Sequence, residues 1–66
     1  MRIQINGSEK EVPEDISLQL LLEQLALPQQ RVAIELDRRV IRKSEWPATR
    51  VFEGAKIEVV HFVGGG

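Results

Sequence analysis

The N-terminal segment alternates apolar and polar residues. Ile3 and Ile5 are separated by a polar residue, and this period of two predicts a strand with one buried face. The dipeptide Asn6-Gly7 follows, and it is suited to the positive φ angles of a type I′ turn. The pattern therefore predicts a hairpin over residues 1–12, in which Ile3 lies opposite Lys10.

The next segment has the period of a helix. Leucines recur at positions 18, 21, 22 and 25, which form one stripe of an amphipathic helix predicted over residues 18–26. Ser17 is the expected N-cap, with Asp15 as the competing cap. Pro28 disfavours helical geometry at the residue before it, so the helix should end by there.

The second half of the chain returns to strand patterns. A β-rich segment is predicted over residues 31–37 and strands over 39–41 and 56–63, with turns at Asp37-Arg38 and Glu53-Gly54. Ser44 could open a single helical turn in the connection between the last two strands. The order predicts an α+β fold of the β-grasp type, a small mixed sheet covered on one face by one main helix. We expect one domain over residues 1–63 and a flexible glycine tail over residues 64–66.

The last predicted strand has apolar residues on both faces. Alternation places Val59 and His61 on one face and Val60 and Phe62 on the other. A single helix can cover only one face, so Val60, Phe62 and Val63, with His61 beside them, are candidates for docking a partner. Two interpretations of Phe62 stay open, a docking residue or a side chain that completes the core. For His61 we favour a half-buried strand residue over a group that positions a partner.

Composition excludes several classes of function. The chain has 66 residues, no cysteine and a formal net charge of −1, so thiolate chemistry and a general attraction to nucleic acid or anionic lipid are not expected. His61 is the only histidine, which leaves a zinc site without ligands. No apolar run is long enough to cross a bilayer, and we expect a cytoplasmic protein that binds no metal, no cofactor and no membrane.

One basic cluster favours a rival class. Arg38, Arg39, Arg42 and Lys43 could neutralise phosphates in a small nucleic-acid-binding module. A solvated turn is the preferred interpretation, because acidic residues outnumber basic ones in the whole chain. Trp46, which follows this cluster, could anchor an interface. Packing in or beside the core is the preferred role for Trp46.

The chain ends in three glycines that continue directly from the last strand. Glycine lets a backbone pass close to another surface, which suits a terminus that enters another protein's active site. The Asn-Gly turn at 6 and 7, the segment VAIELDRRVIRKSEW and the ending HFVGGG resemble the ThiS family of ubiquitin-like sulfur carriers. The resemblance covers nearly the whole chain, although this family often has Asn-Gly where this chain has Asp37-Arg38.

The resemblance implies a protein co-substrate that is not itself an enzyme. An E1-like, ThiF-like adenylyltransferase would use ATP to adenylate the carboxylate of Gly66, with Gly64 and Gly65 as the tether. Sulfur from a donor such as a cysteine desulfurase would then convert it to a thiocarboxylate. A ThiG-like thiazole synthase would accept that sulfur for the thiazole of thiamine. A related carrier for molybdopterin synthesis or tRNA thiolation is the alternative.

Overall fold

The strands form one mixed sheet in the computed structural model, which describes residues 1–62. Along the chain the elements are β1 (Arg2–Ile5), β2 (Ser8–Glu11), α1 (Leu18–Gln24), β3 (Val32–Leu36), β4 (Arg39–Ile41), a 3₁₀ helix (Lys43–Ala48) and β5 (Lys56–His61). Within the described residues the sheet has five strands, in the order β2-β1-β5-β3-β4. β1 and β5 run parallel, and the other neighbours run antiparallel. The predicted β-grasp fold is confirmed.

The first hairpin has the predicted turn and register. Asn6 and Gly7 have φ angles of 49° and 83°, as a type I′ turn requires. Ile3 lies opposite Lys10. The turn chemistry of the dipeptide therefore fixes which residues of β1 face the core.

The helix begins as predicted and ends earlier. The hydroxyl Oγ of Ser17 accepts a hydrogen bond from the backbone N–H of Leu20 at 3.1 Å, so Ser17 is the N-cap. At the other end Ala26 has a φ of 53°. Its N–H donates to the carbonyl of Glu23 at 3.1 Å, and the N–H of Leu27 donates to the carbonyl of Leu22 at 2.8 Å. These two bonds are a Schellman motif, which ends the helix two residues before the predicted position.

The core lies between α1 and the inner face of the sheet. It includes Leu18, Leu21 and Leu22 from the helix, together with inner-face residues of β1, β3 and β5. Trp46 of the 3₁₀ helix is only 1% exposed, and its indole Nε1 donates to the carbonyl of Ile41 at 3.0 Å. The core role preferred for Trp46 is confirmed. The predicted helical turn at Ser44 is extended to six residues, Lys43–Ala48.

The turn between β3 and β4 keeps hairpin geometry without glycine. Asp37 and Arg38 have φ angles of 49° and 70°, the same left-handed region that Asn6 and Gly7 adopt. The Asp37 carboxylate oxygen Oδ1 accepts from the backbone N–H of Lys56 at 2.8 Å. The N–H of Asp37 in turn donates to the Lys56 carbonyl at 2.8 Å. These contacts join the turn to the start of β5 and favour a conformation that is uncommon for arginine.

Candidate partner-docking surface

Strand β5 divides a buried face from an exposed apolar one. On its inner face Ile57 and Val59 are 1% and 9% exposed. On its outer face Val60 is 46% exposed, and Phe62, which follows the strand, is 60% exposed. Phe62 lies outside the core cluster, so the interpretation in which it completes the core is wrong. Its docking role stays a prediction.

A third apolar side chain shares the outer face of the sheet. Val40 of β4 lies opposite Glu35 of β3, and Glu35 lies opposite Glu58 of β5. Residues that are directly opposite in a ladder share a face, so Val40 is on the same side as Val60. Val40 is 66% exposed. We call Val40, Val60 and Phe62 the outer patch.

Two carboxylates separate the apolar members of the outer patch. Glu35 and Glu58 are directly opposite each other, an arrangement of like charges that destabilises a sheet. They line a shallow depression together with Arg38, Lys56 and Val60. The ion pairs between residues 1 and 62 join Arg2 to Glu9 and Glu11, and Arg50 to Asp15, so neither Glu35 nor Glu58 belongs to one. The outer face thus combines exposed apolar side chains with two carboxylates, that of the exposed Glu58 and that of the half-buried Glu35.

Backbone hydrogen bonds hold β5 up to its last described residue. The N–H of Phe62 donates to the carbonyl of Arg31 at 2.8 Å. The N–H of Val59 donates to the side-chain oxygen Oδ1 of Asn6 at 2.8 Å. Phe62, which precedes Val63 and the predicted tail, is therefore held by a backbone bond to the residue directly before β3. Val63 and the predicted site residues Gly64, Gly65 and Gly66 lie outside the described residues.

His61 is exposed, which corrects the preferred interpretation of a half-buried residue. Alternation along β5 puts His61 on the same face as the buried Ile57 and Val59. The neighbouring strand β1, however, pairs with β5 only as far as Ile57. Its partner on β3, Val32, is itself only half-buried. The face that alternation predicts is right, but the core does not extend as far as this residue.

The rival basic cluster lies on the surface. Arg38, Arg39 and Arg42 are exposed, and the Nζ of Lys43 lies 5.9 Å from the centroid of the Trp46 ring. Within residues 1–62 there is no group of three or more His, Asp or Glu residues placed to hold a metal ion. None of the helices in that part of the chain is long and apolar enough to cross a membrane.

Sequence reasoning missed one member of the outer patch and one side-chain contact that holds β5. Val40 could have been found from the turn at Asp37-Arg38, because a two-residue turn sets Val40 opposite Glu35. The side chain of Asn6 had no such signal. Its bond to Val59 depends on the parallel pairing of β1 with β5, two segments at opposite ends of the chain.

Comparison with protein families gives a match over almost the whole chain. The model of the ThiS family matches residues 3–66. The crystal structure of a thiamine biosynthesis protein (ThiS) from Geobacter metallireducens superposes with a TM-score of 0.89 at 32% identity, covering 100% of both chains. The solution structure of a thiamine biosynthesis protein from the same organism gives a TM-score of 0.76 at 32% identity, covering 100% of this chain and 88% of that one.

Some curated relatives are much longer than this chain, and others have nearly the same length. A thiazole synthase from Paramagnetospirillum magneticum is 33% identical over 66 residues, which are 100% of this chain and 20% of that protein. The chain thus spans about one fifth of the length of the thiazole synthases that it matches. The uncharacterized protein ycf40 of Porphyra purpurea is 36% identical over 64 residues, 97% of this chain and 90% of that protein.

Proposed function

The chain belongs to the ThiS family, and we propose that it therefore acts as a sulfur carrier protein in thiamine biosynthesis. The reactive group is the carboxylate of Gly66, and Gly64 and Gly65 are the tether that carries it into partner active sites. The observation that carries the proposal is the family match, which extends through the glycines. The chain is a co-substrate of its partners and has no catalytic residue of its own.

The proposed chemistry has two steps at one carbon atom. An E1-like adenylyltransferase directs an oxygen of the Gly66 carboxylate to the α-phosphorus of ATP, so that pyrophosphate leaves and an acyl-adenylate forms. The terminal sulfur of a persulfide, supplied by a donor such as a cysteine desulfurase, then attacks the acyl carbon, AMP leaves and an acyl disulfide forms. A thiol of the partner attacks the other sulfur of this disulfide, so that a disulfide forms on the partner and a thiocarboxylate is left at Gly66. A thiazole synthase accepts this sulfur, and the carboxylate is regenerated.

Composition supports this assignment of the sulfur atom. The chain has no cysteine, so a side-chain thiol cannot carry the sulfur. The likeness to thiazole synthases supports thiazole formation as the destination over molybdopterin synthesis or tRNA thiolation. Because activation consumes ATP, we place the process in the cytoplasm.

The outer patch is the proposed docking surface for these partners. Its members are exposed and apolar, and Phe62 immediately precedes Val63 and the glycines. Ordering glycines costs about 1–2 kcal/mol per residue, so the tail alone would bind weakly. Burial of an apolar side chain can contribute about 1.5–3 kcal/mol, which offsets much of this cost.

The direct test is the intact mass of the chain. After incubation with the activating enzyme, ATP and a sulfur source, we expect the mass to rise by roughly 16 Da, because sulfur replaces one oxygen of the carboxylate. Fragmentation should place this increase on Gly66. An unchanged mass in the presence of an active partner, or an increase on any other residue, would contradict the proposal.

Deletion of Gly65 and Gly66 is the matched control. Neither residue has a side chain to bury, so the free energy of unfolding should change by less than about 0.5 kcal/mol. Exchange of labelled pyrophosphate into ATP, which reports adenylation, should be lost completely. If the shortened chain still supports that exchange, Gly66 is not the adenylated residue.

A further inference from the structure

Strand β5 loses one of its two neighbours before it ends. The parallel pairing of β1 with β5 stops at Ile5 and Ile57. Asn6 extends it by one step, since its N–H donates to the Ile57 carbonyl at 2.9 Å and its Oδ1 accepts from the N–H of Val59 at 2.8 Å. The chain then turns at Gly7 into β2. On its other side β5 stays paired with β3 through His61.

The alternation of backbone hydrogen bonds along β5 identifies the N–H and C=O groups on its open side. In an antiparallel pair, the N–H and C=O of every second residue point to the same neighbour. The Lys56 carbonyl accepts from Asp37 and the Phe62 N–H donates to Arg31, so the even-numbered residues of β5 point to β3. The N–H and C=O of His61 therefore point to the side that β1 has left. No strand within residues 1–62 lies beside them there.

We propose that this open side of β5, along Val59–Phe62, is a strand-addition site. The activating enzyme, which takes up the glycines, places an extended segment beside β5, in line with β1. This segment bonds to the N–H and C=O of His61. Side chains of that segment that are level with Val60 and Phe62 lie on the outer face, so apolar residues are expected there. The inference rests on the proposed carrier function for its choice of partner.

The other two edges of the sheet are less suited to this role. The free edge of β2 has the sequence SEKE, and charged edge strands oppose pairing with another chain. β4 has only three residues, Arg39–Ile41, and basic residues lie on both sides of its Val40 and Ile41. At β5 the open backbone groups lie beside two members of the outer patch. A strand added there would also align the following residues with the partner, since Phe62 leads directly into the tail.

Proline at position 61 tests the backbone contact. Proline has no N–H, and at residue 61 its ring would point to the open side, so β5 should keep its pairing with β3. His61→Pro should raise the Kd for the activating enzyme by about tenfold or more relative to His61→Ala, because a hydrogen bond is lost and the ring occupies the partner strand's place. His61→Ala removes the side chain but keeps the backbone N–H, so it is the reference against which the loss of the backbone contact is measured. Equal Kd values for the Pro and Ala variants would overturn the proposal.

Amide hydrogen exchange is a second test. It uses the wild-type protein and so does not depend on whether His61→Pro folds. In the wild-type protein the His61 amide should exchange rapidly when free and be protected in the complex with the activating enzyme. Rapid exchange in a complex of proven stoichiometry would overturn strand addition and leave the carrier function intact. A protected His61 with no sulfur gained at Gly66 would support strand addition and contradict the carrier chemistry. Protection in the free protein that grows with concentration would overturn the proposal, because the edge would then pair with a second copy of this chain.

Discussion

Both faces of β5 have apolar residues, but only those of the inner face are buried. Ile57 and Val59 lie on the inner face and pack in the core, while Val60 and Phe62 on the other side of the same backbone are exposed. One helix can cover only one face of the sheet, so the exposure of the second face follows from the architecture. The inner face should therefore determine stability, and the outer face should determine affinity for partners.

The largest expected effect is on the inner face. Ile57→Ala removes a side chain that is 1% exposed and leaves a cavity, which should lower the free energy of unfolding by about 2–5 kcal/mol. Chemical denaturation followed by circular dichroism measures this change. Partner affinity should stay near the wild-type value under conditions in which the variant is folded. A loss of less than about 0.5 kcal/mol would mean that Ile57 is not a core residue.

The second effect is on the outer face, and there affinity should change more than stability. Phe62→Ala should weaken binding to the activating enzyme by about 1–2 kcal/mol, roughly tenfold in Kd, because an apolar side chain no longer becomes buried in the complex. Titration calorimetry measures the Kd. The melting temperature should stay close to that of the wild type, since Phe62 lies outside the core.

Phe52→Ala is the matched control for Phe62. Phe52 is also an exposed phenylalanine, but it precedes the turn at Glu53-Gly54 and is not part of β5 or the outer patch. Its replacement should leave the Kd unchanged. If Phe52→Ala weakens binding as much as Phe62→Ala does, the docking surface is not confined to the outer patch. If Phe62→Ala lowers the melting temperature and leaves affinity intact, the contrast between the two faces fails.

The smallest effect concerns the carboxylates between the apolar residues. Glu58→Gln removes one of two like charges that are directly opposite, so the free energy of unfolding should rise by about 0.2–1 kcal/mol. The gain should shrink at high salt, because exposed charges are screened. Thermal unfolding at two salt concentrations measures it. A decrease in stability would show that Glu58 makes a favourable contact.

Local signals in the sequence were sufficient for most of the fold. Asn6-Gly7 specifies the first turn, the leucine stripe specifies α1, and Ser17 specifies where the helix begins. Each of these signals acts over a few residues, so it can be interpreted without knowledge of the tertiary structure. The end of α1 was less predictable, because it depends on Ala26 in a conformation that usually favours glycine.

The candidate site depended on pairing between distant segments. The predicted faces of Val60 and Phe62 were correct, since alternation alone decides them. The exposure of His61 was not predictable, because it depends on where β1 stops beside β5. Asp37-Arg38 was identified as a turn, but no signal in the sequence showed that Asp37 also bonds to Lys56. The site residues 63–66 stay a prediction.

The enclosure of Trp46 provides an intrinsic optical probe. The chain has one tryptophan and no tyrosine, so near-ultraviolet emission above 300 nm comes from a single indole. That indole is shielded from water in the core, which lies on the inner face of the sheet, whereas the outer patch lies on the outer face. A red shift of the emission should therefore report unfolding, while docking should leave the spectrum unchanged. Unlabelled protein in one cuvette can thus separate variants that unfold from variants that only fail to bind.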